Sequence, residues 1–271
     1  MMEYAEDISI SQEHISDVSV IIPAYNEENR IGSVLKDIST FISQNQVDWN
    51  IIIAIDGNDG TTGLVSEFKK SHPYISYHLN KKRNGKGYAI KQAVLTYQNQ
   101  LKDVIVLMDA DNSIKFEEIA SNIDRIDNTD ILIFNRYGRC NDIPFTRRFL
   151  GRTFNLMVRT ILGLKINDTQ SGYKIFHKNV LIEDINKTGI DGAFFDVSLL
   201  YHANIAGQMI KEIQSKTYRH GEGSKFNTII LAFNMFISIF ALKFRYSKIY
   251  EKMPGKIINR MLDIYKRHIK L

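Results

Sequence analysis

Two carboxylates one residue apart, Asp109 and Asp111, end an apolar, β-branched run in VIVLMDADNSIKFEEI, residues 104–119. Strand-prone sequence that closes in paired negative charge delivers that charge to one edge of a sheet. Hard divalent cations take oxygen ligands, and Mg²⁺ is usually held by one or two carboxylates together with substrate phosphates. An Asp-x-Asp at a strand's carboxyl edge can set one carboxylate on a cation and the other on that cation or on a ribose hydroxyl. Alone, the triplet is a weak signal, because Asp also caps helices well. Asn112 or Ser113 could cap the following helix equally well, so capping does not require both aspartates.

The elements that would carry this pair follow from the pattern of apolar residues. Strands are expected at Val18–Ala24, 50–56, Ile75–Leu79, 104–108 and 130–134, with helices around 31–42, 64–71, 88–97 and 116–126. Regular β-α-β alternation argues for a parallel, doubly wound α/β sheet. Ligands of such sheets lie beyond the carboxyl ends of the strands. Four strands end in polar groups: Tyr25-Asn26-Glu27, Asp56-Gly57, Asp109-Ala110-Asp111 and Asn135-Arg136. Four such ends converging make a site. RNGKGYAI adds Lys86 between two glycines at a helix start, a natural place for an anion. The bland readings are a turn shaped by Asp56, a surface Lys86, and Arg136 paired with a structural carboxylate.

The order of these motifs, with VSVIIPAYNEENRI at the first strand and IDGNDGT at the second, resembles family-2 glycosyltransferases of the nucleotide-sugar-binding GT-A fold. The likeness runs from about Val18 to Tyr246. NDTQSGYKIF, GAFFDVSLL and EGSKF narrow it to the polyprenyl-phosphate branch, nearest the dolichyl-phosphate β-glucosyltransferases and then the dolichyl-phosphate mannose synthases. The resemblance implies inverting transfer of a hexosyl group from a UDP- or GDP-sugar to a polyprenyl or dolichyl phosphate, with Mg²⁺ or Mn²⁺. It sets Pro23, Ala24, Tyr25, Glu27, Asp56, Lys86 and Ala110 at the nucleotide, and Asp109 and Asp111 at the metal and diphosphate. Arg136, Arg147 and Arg152 match basic positions at the acceptor phosphate, Gln170 lies beside the sugar, and Ser224 and Lys225 match a late loop over the site. Three positions depart from the family pattern: Ile55 stands before Asp56 where a second aspartate is usual, Ser171 where cysteine is usual, and Ser198 where a carboxylate is usual.

The second half reads as membrane-facing. Residues 145–164 form an apolar helical pattern in which Arg148, Arg152 and Arg159 fall on one stripe at a 3.6 period. Residues 229–242, IILAFNMFISIFAL, are too few for the ~20 residues of a clean span and suit a helix lying in the interface. A buried amphipathic helix and a plain core helix are the competing readings. From 241 to 271, nine lysines and arginines against two acids give +7, which leaves −2 for the other 240 residues. Such a segment suits lipid phosphates, or is simply a solvated face. The expected organisation is a flexible tail over 1–17, a GT-A domain over 18–225, and a basic amphipathic helical segment over 226–271.

The polar, acidic start is neither a secretory signal nor a transit peptide, and the N-terminal anchor usual in those glucosyltransferases is not among these residues. One cysteine, Cys140, excludes an internal disulfide. The expected location is therefore cytoplasmic, at the cytoplasmic face of an anionic membrane, with attachment from the later helices and tail. No nucleic-acid reading module is present, and an oligomer is compatible with the sequence. A phosphate acceptor needs no general base, whereas a hydroxyl acceptor does; Asp168 and Asp196 are the candidates if one is needed. The alternatives are transfer to a soluble hydroxyl, and an inactive nucleotide-sugar-binding membrane module.

Overall fold

A computed structural model describes residues 17–80, 82–137, 145–188, 192, 194–219, 228–255 and 257, without the side chains of 145–147, 228–235, 248 and 251. The expected tail, all but Asp17, lies outside the described residues, as do Ser224, Lys225, Cys140 and the last fourteen residues.

Among the described residues the centre is a seven-stranded sheet in the order β3-β2-β1-β4-β6-β5-β7. Its strands are β1 (Val18–Ala24), β2 (Asn50–Ile55), β3 (Ile75–Leu79), β4 (Val104–Leu107), β5 (Ile131–Asn135), β6 (Lys174–His177) and β7 (Ile210–Gln214). Strands buried on both faces read as continuous apolar runs, and β1 and β2 do so. Val20, Ile22, Ile51 and Ile53 face one apolar layer; Ile21, Ile52 and Ala54 face the other. The first layer is covered by α1 (Ile31–Asn45) and α4 (Phe116–Ala120). Helices α3 (Lys86–Tyr97), α5 (Phe145–Leu162), α6 (Lys178–Lys187), α7 (Phe195–Ile205) and α8 (Thr228–Arg245) supply the second. Two further helices, α2 (Thr61–Ser71) and α9 (Lys248–Glu251), complete the described set.

The sheet is mostly, not wholly, parallel. Strand β6 runs antiparallel between β4 and β5, while every other pairing is parallel. β6 and β7 were not expected from the sequence, since each is short and carries charge. The pattern over 116–126 is not one helix: α4 stops at Ala120 and a 3-10 helix follows at Ile123–Asn128. Both Ser121 Oγ and Asn122 Nδ2 donate to the Glu118 carbonyl, and such local bonds compete with the helical ladder. Helix α5 ends two residues short of expectation because Gly163 takes a left-handed φ of 76° and its N–H closes on the Arg159 carbonyl.

Helix α8 is divided along its length. Ser238, Ile239 and Leu242 are buried against the second layer, whereas Phe236, Ile237 and Phe240 face outward. No helix among the described residues is long and apolar enough to cross a membrane.

Candidate functional site: charged residues at the strand ends

The loops after β1 and β2 are laced together. Glu27 N–H donates to Thr61 Oγ1 at 2.8 Å, Glu28 N–H to Asp59 Oδ2 at 3.1 Å, and Asn58 N–H to Asn26 Oδ1 at 3.1 Å. A Cβ on Gly57 would collide with Asn26, so this approach requires glycine. Arg30 forks onto Glu27 at 2.6 and 2.8 Å. That hydrogen bond first, opposed by burial and then aided by the charges of Glu27, Asp111 and Asp109, raises the Arg30 pKa. Arg30 therefore sits within the field of the aspartate pair. The Arg83 guanidinium lies 4.2 Å from the Tyr25 ring centroid.

Asp56 is buried, and protein donors use both of its oxygens. It accepts from Asn80 Nδ2 at 2.9 Å, from Asn84 N–H at 3.0 Å and from Gly85 N–H at 2.7 Å. Its carboxylate thus holds the loop that introduces Lys86. Gly85, at φ 99°, turns that loop into α3.

Asp109 and Asp111 stand just past β4 and differ in their partners. Asp111 Oδ1 accepts from Ser113 N–H at 3.0 Å, from the Ser113 hydroxyl, and from Tyr173 Oη at 2.8 Å. Its Oδ2 has no protein hydrogen bond among the described residues. Neither Asn112 nor Ser113, which could have capped the next helix, does so: Lys115 occupies the N-cap of α4, and Asn112, at φ 51°, donates to Asp37 at 2.7 Å. Asp111 shapes the turn itself. Asp109 Oδ1 meets Lys86 Nζ at 2.9 Å, and Gly172 packs so close to its carboxylate that a Cβ there would overlap it. Carboxylate oxygens on a partly exposed edge fit a hard cation. Among the described residues no cluster of three or more His, Cys, Asp or Glu could hold a metal. The pair fits a cation that draws its remaining ligands from a diphosphate and water, and does not fit an all-protein cage.

Residues 168–174 touch each part of the site in turn. Asp168, fully buried, takes a bidentate fork from Arg136 at 2.8 and 2.9 Å and its N–H at 3.0 Å. Burial opposes the charge of Arg136, but Asp168 outweighs it and drives the pKa well above the ordinary value. Thr169 N–H and Oγ1 donate to Asn155 Oδ1 of α5 at 3.0 and 2.6 Å. Gln170, next in sequence, is half-buried. Tyr173 reaches Asp111; burial, with Asp111 and Asp109 adding, pushes its phenol well above the usual value. Lys174, fully buried, reaches Asp196 Oδ1 at 2.5 Å.

Asp196 also accepts from Lys86 at 3.1 Å. Burial favours its neutral form, yet Lys174 and Lys86 outweigh burial and hold its pKa below the ordinary value. Burial opposes the charge of Lys86 as well, and Asp109 with Asp196 reverses the sign, so its pKa rises. For Lys174 burial prevails over Asp196, and Lys86 adds to it, so its pKa falls. Both aspartates considered as bases are thus committed to cationic partners.

Of the expected site residues, the structure gathers Pro23, Ala24, Tyr25, Glu27, Asp56, Lys86, Asp109, Ala110, Asp111, Arg136 and Gln170 at the strand ends and the loops beside them. Arg152 is exposed on α5, where its charge still reaches Tyr137 beside Arg136. The Arg147 side chain lies outside the described residues. The sequence reading missed Arg30, Arg83, Tyr173 and Lys174. For Lys174 a signal existed: strand alternation in YKIF places a lysine on the same face as Phe176, inside a two-sided sheet.

The signature of glycosyl transferase family 2 matches residues 19–185, more than half of the chain. The chain belongs to glycosyl transferase family 2. It is thus a glycosyltransferase, with the expected fold. It is 29% identical over 247 residues to dolichyl-phosphate beta-glucosyltransferase of Dictyostelium discoideum, covering 84% of this chain and 74% of that protein. It is 29% identical over 202 residues to polyprenol monophosphomannose synthase of Mycolicibacterium smegmatis, covering 72% and 74%. Among solved structures, a mannosyltransferase from Pyrobaculum calidifontis in complex with GDP-Man and Mn²⁺ superposes with a TM-score of 0.58 at 16% identity, covering 89% of this chain and 68% of that one. That likeness shows the fold.

Proposed function

We propose that this glycosyltransferase moves a hexosyl group from a UDP- or GDP-sugar to a polyprenyl or dolichyl phosphate, with inversion, at the cytoplasmic face of a membrane. The carrying observation is the 168–174 segment, which is bonded to Arg136, to Asp111 and, through Lys174, to Asp196, and which packs Gly172 against Asp109. Two relatives are named for transfer to dolichyl phosphate and for polyprenol monophosphomannose synthesis, and a solved neighbour for GDP-Man with Mn²⁺.

In this reading Tyr25, Asp56 and Arg83 frame the nucleotide, and Lys86 and Arg30 face its diphosphate. Asp111 Oδ2 and Asp109 would hold Mg²⁺ or Mn²⁺. When bound, the cation neutralises the pyrophosphate and makes it a better leaving group. The acceptor phosphate needs no base, since its second pKa is about 6 by analogy with phospho-amino acids. Its oxygen forms a bond to the anomeric carbon from the face opposite the diphosphate, as the bond to the diphosphate breaks and the nucleoside diphosphate departs. The engagement of Asp168 by Arg136, and of Asp196 by two lysines, supports this baseless route over a hydroxyl acceptor. Arg136, Arg147, Arg152, Ser224 and Lys225 would receive the acceptor phosphate, and Gln170 the sugar.

The lipid chain would lie along α5 and α8. Phe149, Leu150 and Leu156 of α5, and Phe236, Ile237 and Phe240 of α8, are exposed on two helices that pack together. Exposed apolar surface rimmed by cations suits a membrane interface. Residues 18–225 would then carry the transfer chemistry, and 226–271 much of the membrane contact. The test is a panel of UDP- and GDP-sugars with a short polyprenyl phosphate and Mg²⁺ or Mn²⁺, reading lipid-extractable label. Label in water-soluble acceptors alone would overturn the acceptor assignment.

A further inference from the structure

A chain of four charges runs from the interior to the edge of β4. Lys174 is fully buried on β6, and its ammonium donates to Asp196 Oδ1 at 2.5 Å and to the Ser171 carbonyl. The other oxygen of Asp196 accepts from Lys86 Nζ at 3.1 Å, and Lys86 reaches Asp109 Oδ1 at 2.9 Å. Signs alternate along the chain, which is neutral as a whole. Only its outer end is open to a ligand: Lys86 and Asp109 are partly exposed, while Lys174 and Asp196 are closed off. A buried ion pair is rarely needed for stability alone, because apolar side chains of equal volume serve as well. This one is attached to the single lysine at the start of α3.

We propose that Lys174 and Asp196 are positioning residues, a buried pair that fixes the Lys86 ammonium beside Asp109, where it meets the diphosphate of the donor. The inference deepens the donor-site reading above and rests on it. A lysine carries more rotamer freedom than most side chains, so anchoring it beforehand lowers the ordering cost of binding an anion. Asp196 with one ammonium on each oxygen is an anchor and not a proton acceptor. Lys174 sets that role: without it Asp196 would have Lys86 as its sole cation and would draw it inward, away from Asp109.

The test compares Lys174→Met combined with Asp196→Asn, which removes both charges at near-constant volume, with Lys86→Met and with the triple variant. Binding of UDP and of GDP is measured by calorimetry without and with Mg²⁺, alongside melting temperature and the transfer rate. The expected result is a folded double variant whose affinity for the nucleoside diphosphate falls about ten-fold, the weight of one charge-assisted hydrogen bond. Lys86→Met should lose as much, and the triple variant no more than Lys86→Met alone, because the three residues act as one unit. A lower melting temperature with unchanged affinity makes the pair structural and overturns the proposal. A lost transfer rate at unchanged affinity, with the acid limb of the pH profile gone, makes Asp196 a base and overturns it too. Should the double variant not fold, Asp196→Glu moves the carboxylate by one methylene while keeping its charge; unchanged affinity there is equally fatal. A wild-type chain that binds neither UDP nor GDP fails at the donor site itself, which is a distinguishable outcome.

Discussion

The side proposed for the donor and the α5–α8 side are built on opposite terms. Around Asp56, Asp109 and Asp196 most polar atoms are engaged by the protein itself, several of them buried. Along α5 and α8 large apolar side chains face outward beside exposed cations such as Arg152 and Lys243: Phe149 is 62% exposed, Leu156 58% and Phe240 50%. A small, charged ligand rewards a site that is organised before it arrives, since donors then need no reorganisation. A long, apolar and mobile ligand rewards a surface and not a mould. The two regions meet at Asn155 and Thr169, where α5 is bonded to the segment that reaches Asp109 and Asp111.

The sharpest way to break this contrast is to remove a donor-side charge. Asp111→Asn keeps the bulk of the side chain while withdrawing its charge. Transfer should fall by about 10²–10³, the usual weight of a group that stabilises developing charge. The fold should survive, because Asn can still accept from Tyr173 and Ser113. Unchanged turnover with saturating donor and Mg²⁺ would refute the assignment.

Next in size is Arg136→Ala, which strands the fully buried Asp168. Removing one partner of a buried ion pair costs about 3–5 kcal/mol, here discounted toward the lower end because the Arg136 side chain is 21% exposed. Urea unfolding should show that loss, and Arg136→Lys should recover only part of it, since lysine cannot supply the fork. A midpoint shift near zero would mean that Asp168 finds another donor.

The contrast also explains what could be read in advance. Asp109, Asp111 and Asp56 were legible because charge that closes an apolar run is visible in a linear sequence. Their partners were not. Asp56 is met by the Asn80 side chain and by the backbone N–H groups of Asn84 and Gly85, and the backbone contacts are ones that no side-chain pattern encodes. Strand β6 was missed because Asp-Thr-Gln-Ser-Gly reads as a loop and Lys174 reads as surface. The alternation of YKIF hints at its burial, but the partner that makes a buried lysine tolerable, Asp196, lies 22 residues on and is brought to it only by the fold. Helix α8 was rightly judged too short to span, and its pattern of apolar residues all round concealed which side would be buried. That depended on where α5 would pack.

A pH series tests the donor network by its linkage. The folded-state pKa of Asp196 is depressed, so its contribution to stability is fully present above the ordinary aspartate range and is lost as pH falls through the lower, folded value. The stability difference between the wild type and the Lys174→Met, Asp196→Asn double variant should therefore shrink as pH drops below that range, read by urea midpoints at successive pH values. A difference that grows on acidification would reverse the sign of the argument.

The exposed helices yield to substitutions that leave the donor side alone. Phe240→Ser should weaken binding to vesicles by about ten-fold or more, since burying one Phe is worth about 1.5–3 kcal/mol. Nucleotide affinity should not move. The smallest effect belongs to the flanking cations. Lys243 and Lys252 are both exposed, and each lysine near an anionic leaflet contributes about 1 kcal/mol. Lys243→Gln should therefore lower vesicle binding about five-fold at low salt and hardly at all at high salt, because exposed charge is screened within about a Debye length of 10 Å at 0.1 M. Phe240→Ser should weaken binding equally at both. The pair of variants separates insertion from attraction: if Lys243→Gln resists salt, the lysine acts through its contact with the Tyr201 ring, 5.9 Å away, and not through the lipid.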